Sequence, residues 1–309
     1  MEAGARYPAG GGVPQGEGPS FDRPAAAGDR NPWIGEAARL ELVSRPGYAQ
    51  ALASYASGFL AIHTGNRLLN AVLGDRGRTV FWLFIFYLEA LPRDEGGGLA
   101  AGRLIQLCTT VGLCSPGRTR ALLALMQWAG YLAPASESGG DRRVKPLEIQ
   151  EKMYQLQRQR WHILFASLAL VAPEVAVYQE KLADLAFTRS MARLIGDRYL
   201  KGERIVAAAP ALKGLLDHDC AVLLLLALYG VDHAGLPPPT IADLSRRFHV
   251  SRTHVLKVLR TAQASGLVEP PPERGVGRLS AAGRGAVAHF FAAGFCLIAS
   301  CAWEAGRND

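Results

Sequence analysis

One stretch, Thr240 to Arg284, restricts what this chain can fold into more than any other: TIADLSRRFHVSRTHVLKVLRTAQASGLVEPPPERGVGRLSAAGR. Thr240 can cap a helix, and Asp243 three residues on completes a capping box. Ile241, Leu244 and Phe248 recur at helical spacing, which points Arg246 and Arg247 away from them. His249-Val250 reads as a tight corner, and Ser251 caps a second helix. On that helix Val255, Val258, Leu259 and Ala262 form the inward stripe. Arg252, Thr253, His254, Lys257 and Arg260 are left on the outer side. Gly266 ends the helix, where a left-handed residue costs least. Leu267 to Glu269 reads as a short strand, Pro270 to Gly277 as a turn-rich tip, Val276 to Leu279 as a return strand, and Ser280 as the start of another helix. The order predicts a helix-turn-helix followed by a β wing.

Such a layout suits DNA. A major groove admits one α-helix, which must offer polar side chains to base edges, while a second helix sets its angle. The stretch carries eight basic residues (Arg246, Arg247, Arg252, Lys257, Arg260, Arg274, Arg278, Arg284) against Asp243, Glu269 and Glu273. A plain helical hairpin with a solvated basic face would account for the charge but not for cap, corner, stop and wing in sequence. The chain as a whole has 309 residues, 49% of them apolar, and a net charge of +7. That is enough for two cores, and the charge suits a nucleic-acid partner. The five cysteines form no CxxC and no cluster with histidine. Structural disulfides, a zinc site and any other cofactor are therefore not expected, and a reducing cytoplasm is. No basic start followed by an apolar run marks a signal peptide.

Residues 1–30, rich in Gly, Pro and Ala, are expected to form a disordered tail. Tyr48 to Leu73 reads as helical throughout, with Gly58 and Gly65 as weak points. Thr79 to Leu91 is apolar nearly all round, so it is expected as a buried helix. The segment 99–148 then repeats the opening stretch. With Gly130-Tyr131-Leu132 placed on Gly266-Leu267-Val268, Ser115 falls on Ser251, Gln127 on Gln263 and Pro134 on Pro270, a shift of 136 residues. Each copy is preceded by a very apolar helix, the second being Cys220 to Tyr229. The first copy offers Arg118 and Arg120 as polar tips, with Arg142, Arg143 and Lys145 on the return strand of its wing. It has fewer long donors than the second. The fold class expected is mainly α: tandem winged helix-turn-helix units with small β wings, joined by a helical body. The domains run 31–150, 151–217 (helical connector) and 218–309. Ala281 to Ala305 is expected as a packing or dimer helix, not a membrane span.

The second copy resembles the winged helix-turn-helix of the MarR-type bacterial transcription regulators. The residues that carry the likeness are Ser251 to Lys257, Gly266-Leu267-Val268 and Leu279-Ser280-Ala281-Ala282-Gly283. They cover about 70 residues around the second copy and, more faintly, the first. The resemblance implies operator binding on double-stranded DNA and dimerisation through terminal helices. Here that means either a homodimer or two fused units acting as an internal pseudo-dimer. It leaves room for a small-molecule effector, for which Trp161, His162 and Tyr178 are the candidate contacts. No GxSxG, HExxH or P-loop constellation is present, so an enzyme is not expected. Two alternatives remain open: a winged-helix scaffold that binds protein, and a thiol- or ligand-responsive form of the regulator using Cys108, Cys114, Cys296 or Cys301.

Overall fold

Residues 30–92, 95, 97–135, 145–271 and 275–307 are described by a computed structural model. The chain divides into Met1–Asn31 and a body from Pro32 to Asp309, and the described helices and strands lie in the body. The fold is mainly α, with one small antiparallel sheet among the described residues. The first half contains α1 (Gly35–Ser44), α2 (Tyr48–His63), α3 (Arg67–Leu73), α4 (Arg76–Ala90), α5 (Ala101–Thr110), α6 (Pro116–Trp128), β1 (Leu132–Pro134), β2 (Leu147–Ile149) and α7 (Glu151–Leu168). The second contains a 3-10 turn (Pro173–Ala176) leading into α8 (Val177–Lys181), then α9 (Leu185–Leu200) and two further 3-10 turns. It closes with α10 (Ala221–His233), α11 (Ile241–Phe248), α12 (Arg252–Ala264) and α13 (Ala281–Ala305).

The repeat seen in the sequence has matching backbone features at its serine caps and glycine turns. The Ser115 and Ser251 side chains both cap, accepting from the backbone N–H of the third residue on, Arg118 and His254. Gly130 and Gly266 both take a left-handed conformation, at φ +71° and +67°, which glycine adopts without a Cβ clash. The residues after them, Tyr131 and Leu267, donate back to Met126 O and Ala262 O at 2.9 Å in each case. Their own carbonyls accept from Gln150 N at 2.9 Å and Ser280 N at 3.0 Å. The Thr240–Asp243 capping box forms as expected, and His249 turns the corner at φ +55°. The strand pairs differ. In the first half Leu132, Ala133 and Pro134 pair with Ile149, Glu148 and Leu147, and Ala100 bridges to Pro146. In the second, Val268 and Leu279 make a single bridge, with a further bond from Glu269 N to Arg278 O at 2.8 Å.

The duplication extends beyond these corners. Helices α2 and α9 are both 16 residues long and start 137 residues apart. Helix α2 packs on α7 of its own half and α10 of the other; α9 packs on α13 of its own half and α4 of the other. Likewise α1 lies against α13, and the α8 region against α7. The halves are thus interdigitated, as in a dimer whose subunits exchange helices. The segment 151–217, expected as a connector, is divided between them: α7 closes the first half and α8–α9 open the second.

Local chemistry sets the helix ends. The expected single helix from Tyr48 to Leu73 breaks at Gly65, beyond which Asn66 caps α3 by accepting from Leu69 N at 3.0 Å. Gly58 sits inside α2 without breaking it, close to Ile163 of α7. Within the segment expected as a helical connector, α8 and α9 are separated before Asp184, whose side chain caps α9 by accepting from Ala186 N at 2.8 Å.

Helix α13 is the one described helix long and apolar enough to cross a membrane, with a mean hydropathy of 1.8 over its best window. In this fold 56% of that window is buried. Its Phe291 and Phe295 meet Tyr55 of α2 at ring distances of 5.4 and 5.2 Å, and Tyr48 donates to Ala288 O at 2.8 Å. A buried aromatic of this kind contributes about 1.5–3 kcal/mol. The expectation of a packing helix therefore agrees with its surroundings.

A candidate nucleic-acid interface

The outer face of α12 presents Arg252, Thr253, Lys257 and Arg260, all exposed. Its inner face, Val255, Val258, Leu259 and Ala262, is buried against Leu244 and Phe248 of α11 and the rest of the core. His254 departs from the expected outward arrangement. Half-buried, its Nε2 donates to Asp219 O at 2.8 Å. Ser251 is exposed but engaged as the cap.

The other expected cations divide in the same way. Arg246 is exposed and pairs with Asp243 on its own helix. Arg247 is half-buried: its Nε donates to Thr64 Oγ1 at 2.9 Å, its guanidinium lies over Phe248, and its carbonyl accepts from Gly65 N. It therefore fastens α11 to the other half. Arg278 anchors the return strand, pairing with Asp232 at 2.8 Å and donating to Leu236 O at 2.8 Å. Arg120 and Lys145 are exposed. Arg142, Arg143 and Arg274 lie outside the described residues.

Arg118 and His254 occupy matching places, three residues after the two capping serines. Both turn towards the same corner. Arg118 pairs with Asp75 at 3.4 Å. Asp75, buried at 8% exposure, also caps α4 and pairs with Arg78 at 3.3 Å. Arg78 reaches on to Asp219 at 3.0 Å, and the Asp219 carbonyl receives His254. Arg118, Asp75, Arg78, Asp219 and His254 thus form a polar chain running from the first turn of α6 to the first turn of α12. Arg76–Asp217 at 2.7 Å and Cys220 N to Gly74 O at 2.6 Å close the corner. Spacing alone did not reveal this chain. The only hint was that Asp75 and Asp219 each stand just before an apolar helix.

All five cysteines are free thiols. Burial pushes Cys108, Cys220, Cys296 and Cys301 up to about 12, which leaves them almost wholly protonated near neutrality. Cys114 is half-buried and lies 3.2 Å from Thr119 Oγ1. Alkylation of the folded protein followed by peptide mass spectrometry is expected to label Cys114 ahead of the other four. Labelling of any of those four at the same rate would contradict this ordering.

Among the described residues, no group of three or more His, Cys, Asp or Glu side chains is placed to hold a metal ion. Of the candidate effector contacts, Trp161 lines the large central cavity, while His162 is exposed and Tyr178 packs between Phe165 and Phe187. No protein-family model, no curated protein and no solved structure matches this chain.

Proposed function

We propose that the protein is a sequence-specific DNA-binding transcriptional regulator built from two winged helix-turn-helix units, similar to the MarR type, in a single chain. One observation carries the reading. Helices α6 and α12, the two matching helices of the duplication, start from one shared polar corner, with basic or polar residues exposed on their outer faces. Paired helices of this kind are what a two-fold operator requires, and the first turns of such helices reach base edges. The interdigitated halves let one chain act as its own dimer. The two faces are unequal, Arg252-Thr253-Lys257 against Pro116-Gly117-Arg120, so the two half-sites should differ.

Footprinting tests the reading. One chain acting alone protects two half-sites about one helical turn apart. A footprint twice as long would mean a homodimer presenting four units. In gel shifts Arg252→Ala is expected to weaken binding by about 1–3 kcal/mol, roughly fivefold or more. Arg118→Ala should do less, because Arg118 is already held by Asp75; if it does more, the ranking of the two units is wrong.

A second reading draws on Trp128, 79% exposed at the end of α6. An exposed tryptophan suits a protein contact, so the first unit could dock a partner protein. Affinity for DNA should fall steeply with salt, through counterion release; binding insensitive to salt would favour the protein-docking reading.

A further inference from the structure

The turn between α5 and α6 holds two cysteines. Cys108 lies in the last turn of α5 and is fully buried; Cys114 stands immediately before the capping Ser115 and is half-buried. Gly112 takes a left-handed conformation at φ +66°, and Leu113 N donates back to Cys108 O at 2.8 Å. That closure brings Cys114 back to Cys108. The two thiols are hydrogen-bonded to each other, and Thr119 Oγ1, 3.2 Å from Cys114 Sγ, bonds to both.

The second unit shows what is particular to this turn. There Val250 N donates back to Ser245 O at 3.2 Å, the same closure over five residues. Ser251 follows Val250 directly, whereas Cys114 intervenes between Leu113 and Ser115. The first unit therefore has a cysteine where the second has Ser245, and its one additional residue is the other cysteine. Ser245 closes its own turn by donating to Val250 O at 2.6 Å. The remaining cysteines offer no such pair. Cys296 and Cys301 are five residues apart on α13, a spacing that puts them on different faces of the helix.

Two adjacent thiols can hold a soft electrophile by two bonds. A soft cation such as Cu(I), bridging two thiolates, would leave a net negative charge in a buried site. Burial also pushes the Cys108 thiol up to about 12, so it keeps its proton. The same proton guards it against peroxide, since the thiolate is the nucleophile. Trivalent arsenic carrying one organic group avoids both obstacles: it is neutral before and after binding and needs no oxidant.

We propose that Cys108 and Cys114 form a dithiol site for a neutral arsenic(III) compound bearing a single organic group. A dihydroxyarsine, R–As(OH)2, exchanges its two hydroxyl groups for the two sulfurs. Two As–O bonds break and two As–S bonds form. Each thiol proton leaves on a hydroxide as water, and arsenic stays trivalent. Approach is through Cys114, which lines the end of the central cavity together with Gly112, Leu113 and Leu122, and the organic group lies against this mostly apolar wall. The product ties the last turn of α5 to the start of α6. The site does not rest on the DNA-binding reading.

The probe is phenylarsine oxide, which hydrates to the dihydroxyarsine, added to the native full chain. Intact mass is expected to show one phenylarsenic group per chain with loss of two thiol protons. Alkylation after unfolding, followed by peptide mapping, should find Cys108 and Cys114 protected and Cys220, Cys296 and Cys301 open. Dimercaptopropanol should strip the adduct, while mercaptoethanol at equal thiol concentration should not. Saturation should raise the Tm of the wild type. Cys114→Ser, and Cys108→Ser, which supplies the second unit's residue, should each weaken binding by about a hundredfold or more, the advantage of a second, intramolecular bond. Arsenic on any other cysteine, equal affinity in either variant, or release by the monothiol overturns the site; the mapping on the wild type decides even if a variant fails to fold.

Discussion

Gly283→Ala is expected to destabilise the protein by about 3 kcal/mol, at the upper end of what overpacking costs. A Cβ on Gly283 would stand 1.9 Å from Leu267 O, 2.8 Å from Leu267 C and 3.2 Å from Leu267 Cα. All three atoms are backbone, so no side chain can swing aside. Nor is the strand free to retreat. Leu267 O accepts from Ser280 N at 3.0 Å, Leu267 N donates to Ala262 O at 2.9 Å, and Ser280 Oγ donates to Gly266 O at 2.6 Å. Each bond lost would add about 0.5–1.5 kcal/mol. The Leu-Ser-x-x-Gly motif thereby has a physical account: Leu279 is fully buried opposite Val268, Ser280 caps α13, and Gly283 lets the strand cross the helix's first turn. Gly285, two residues along, serves as the control, since nothing lies within 4 Å of a Cβ there. Gly285→Ala should be neutral or stabilising by up to about 1 kcal/mol, from helix propensity alone. Urea denaturation of the two variants decides: a Gly283→Ala cost below that of an ordinary surface change would mean the crossing is looser than it stands here.

The same motif marks how far the sequence could be read. In the first half, Gln150 stands where Ser280 caps α13, and Met153 where Gly283 allows the crossing. Gln150 offers no side-chain cap, and Met153 is fully buried. The backbone bond from Gln150 N to Tyr131 O survives nonetheless. Caps, left-handed glycines and apolar stripes depend on single residue types, so Ser115, Ser251, Gly130, Gly266 and the Thr240–Asp243 box were legible. The wider duplication was not. Helices α2 and α9 match in length and offset, but YAQALASYASGFLAIH and LAFTRSMARLIGDRYL share little, because each is fitted to different neighbours across the interface. Tyr55 of α2 meets Phe291 and Phe295, whereas Gly196 of α9 makes room for the Tyr87 ring. Exchange of helices between halves leaves no local periodicity to detect.

The candidate site was legible in part for a related reason. Helical spacing separates the inner and outer faces of α12, and it placed Arg252, Thr253, Lys257 and Arg260 correctly on the exposed side. It cannot say which outer residues meet another part of the chain. His254 and Arg247 lie at the edge of that face and are taken up by Asp219 and Thr64, respectively 35 and 183 residues away in sequence. Arg160 illustrates the converse. In sequence it belongs to the basic run QRQRWH of a surface-like helix, and only the fold turns it towards an aromatic cavity.

Acidification is expected to remove on the order of 3 kcal/mol of stability through His63 alone, from a pKa difference of about 2.5 units at about 1.4 kcal/mol each. In the folded chain the His63 pKa lies at about 4, against an ordinary 6.5, chiefly because burial disfavours the imidazolium. Above pH 6.5 the ring is neutral in both folded and unfolded chains, and its contribution is fully present. Between 6.5 and about 4 the unfolded chain takes up a proton that the folded chain refuses, so stability falls with pH across that window. Below it both forms are protonated and the loss stops growing. Carboxylates titrate near the lower end, so the measurement must be differential. His63→Gln can still donate to Asn70 Oδ1 but cannot titrate. The difference in unfolding free energy between the wild type and His63→Gln, followed from pH 7 to pH 4, should therefore change by the stated amount in the direction that disfavours the wild type. A difference that stays flat across the window would mean that water or a proton reaches Nε2 in the folded chain.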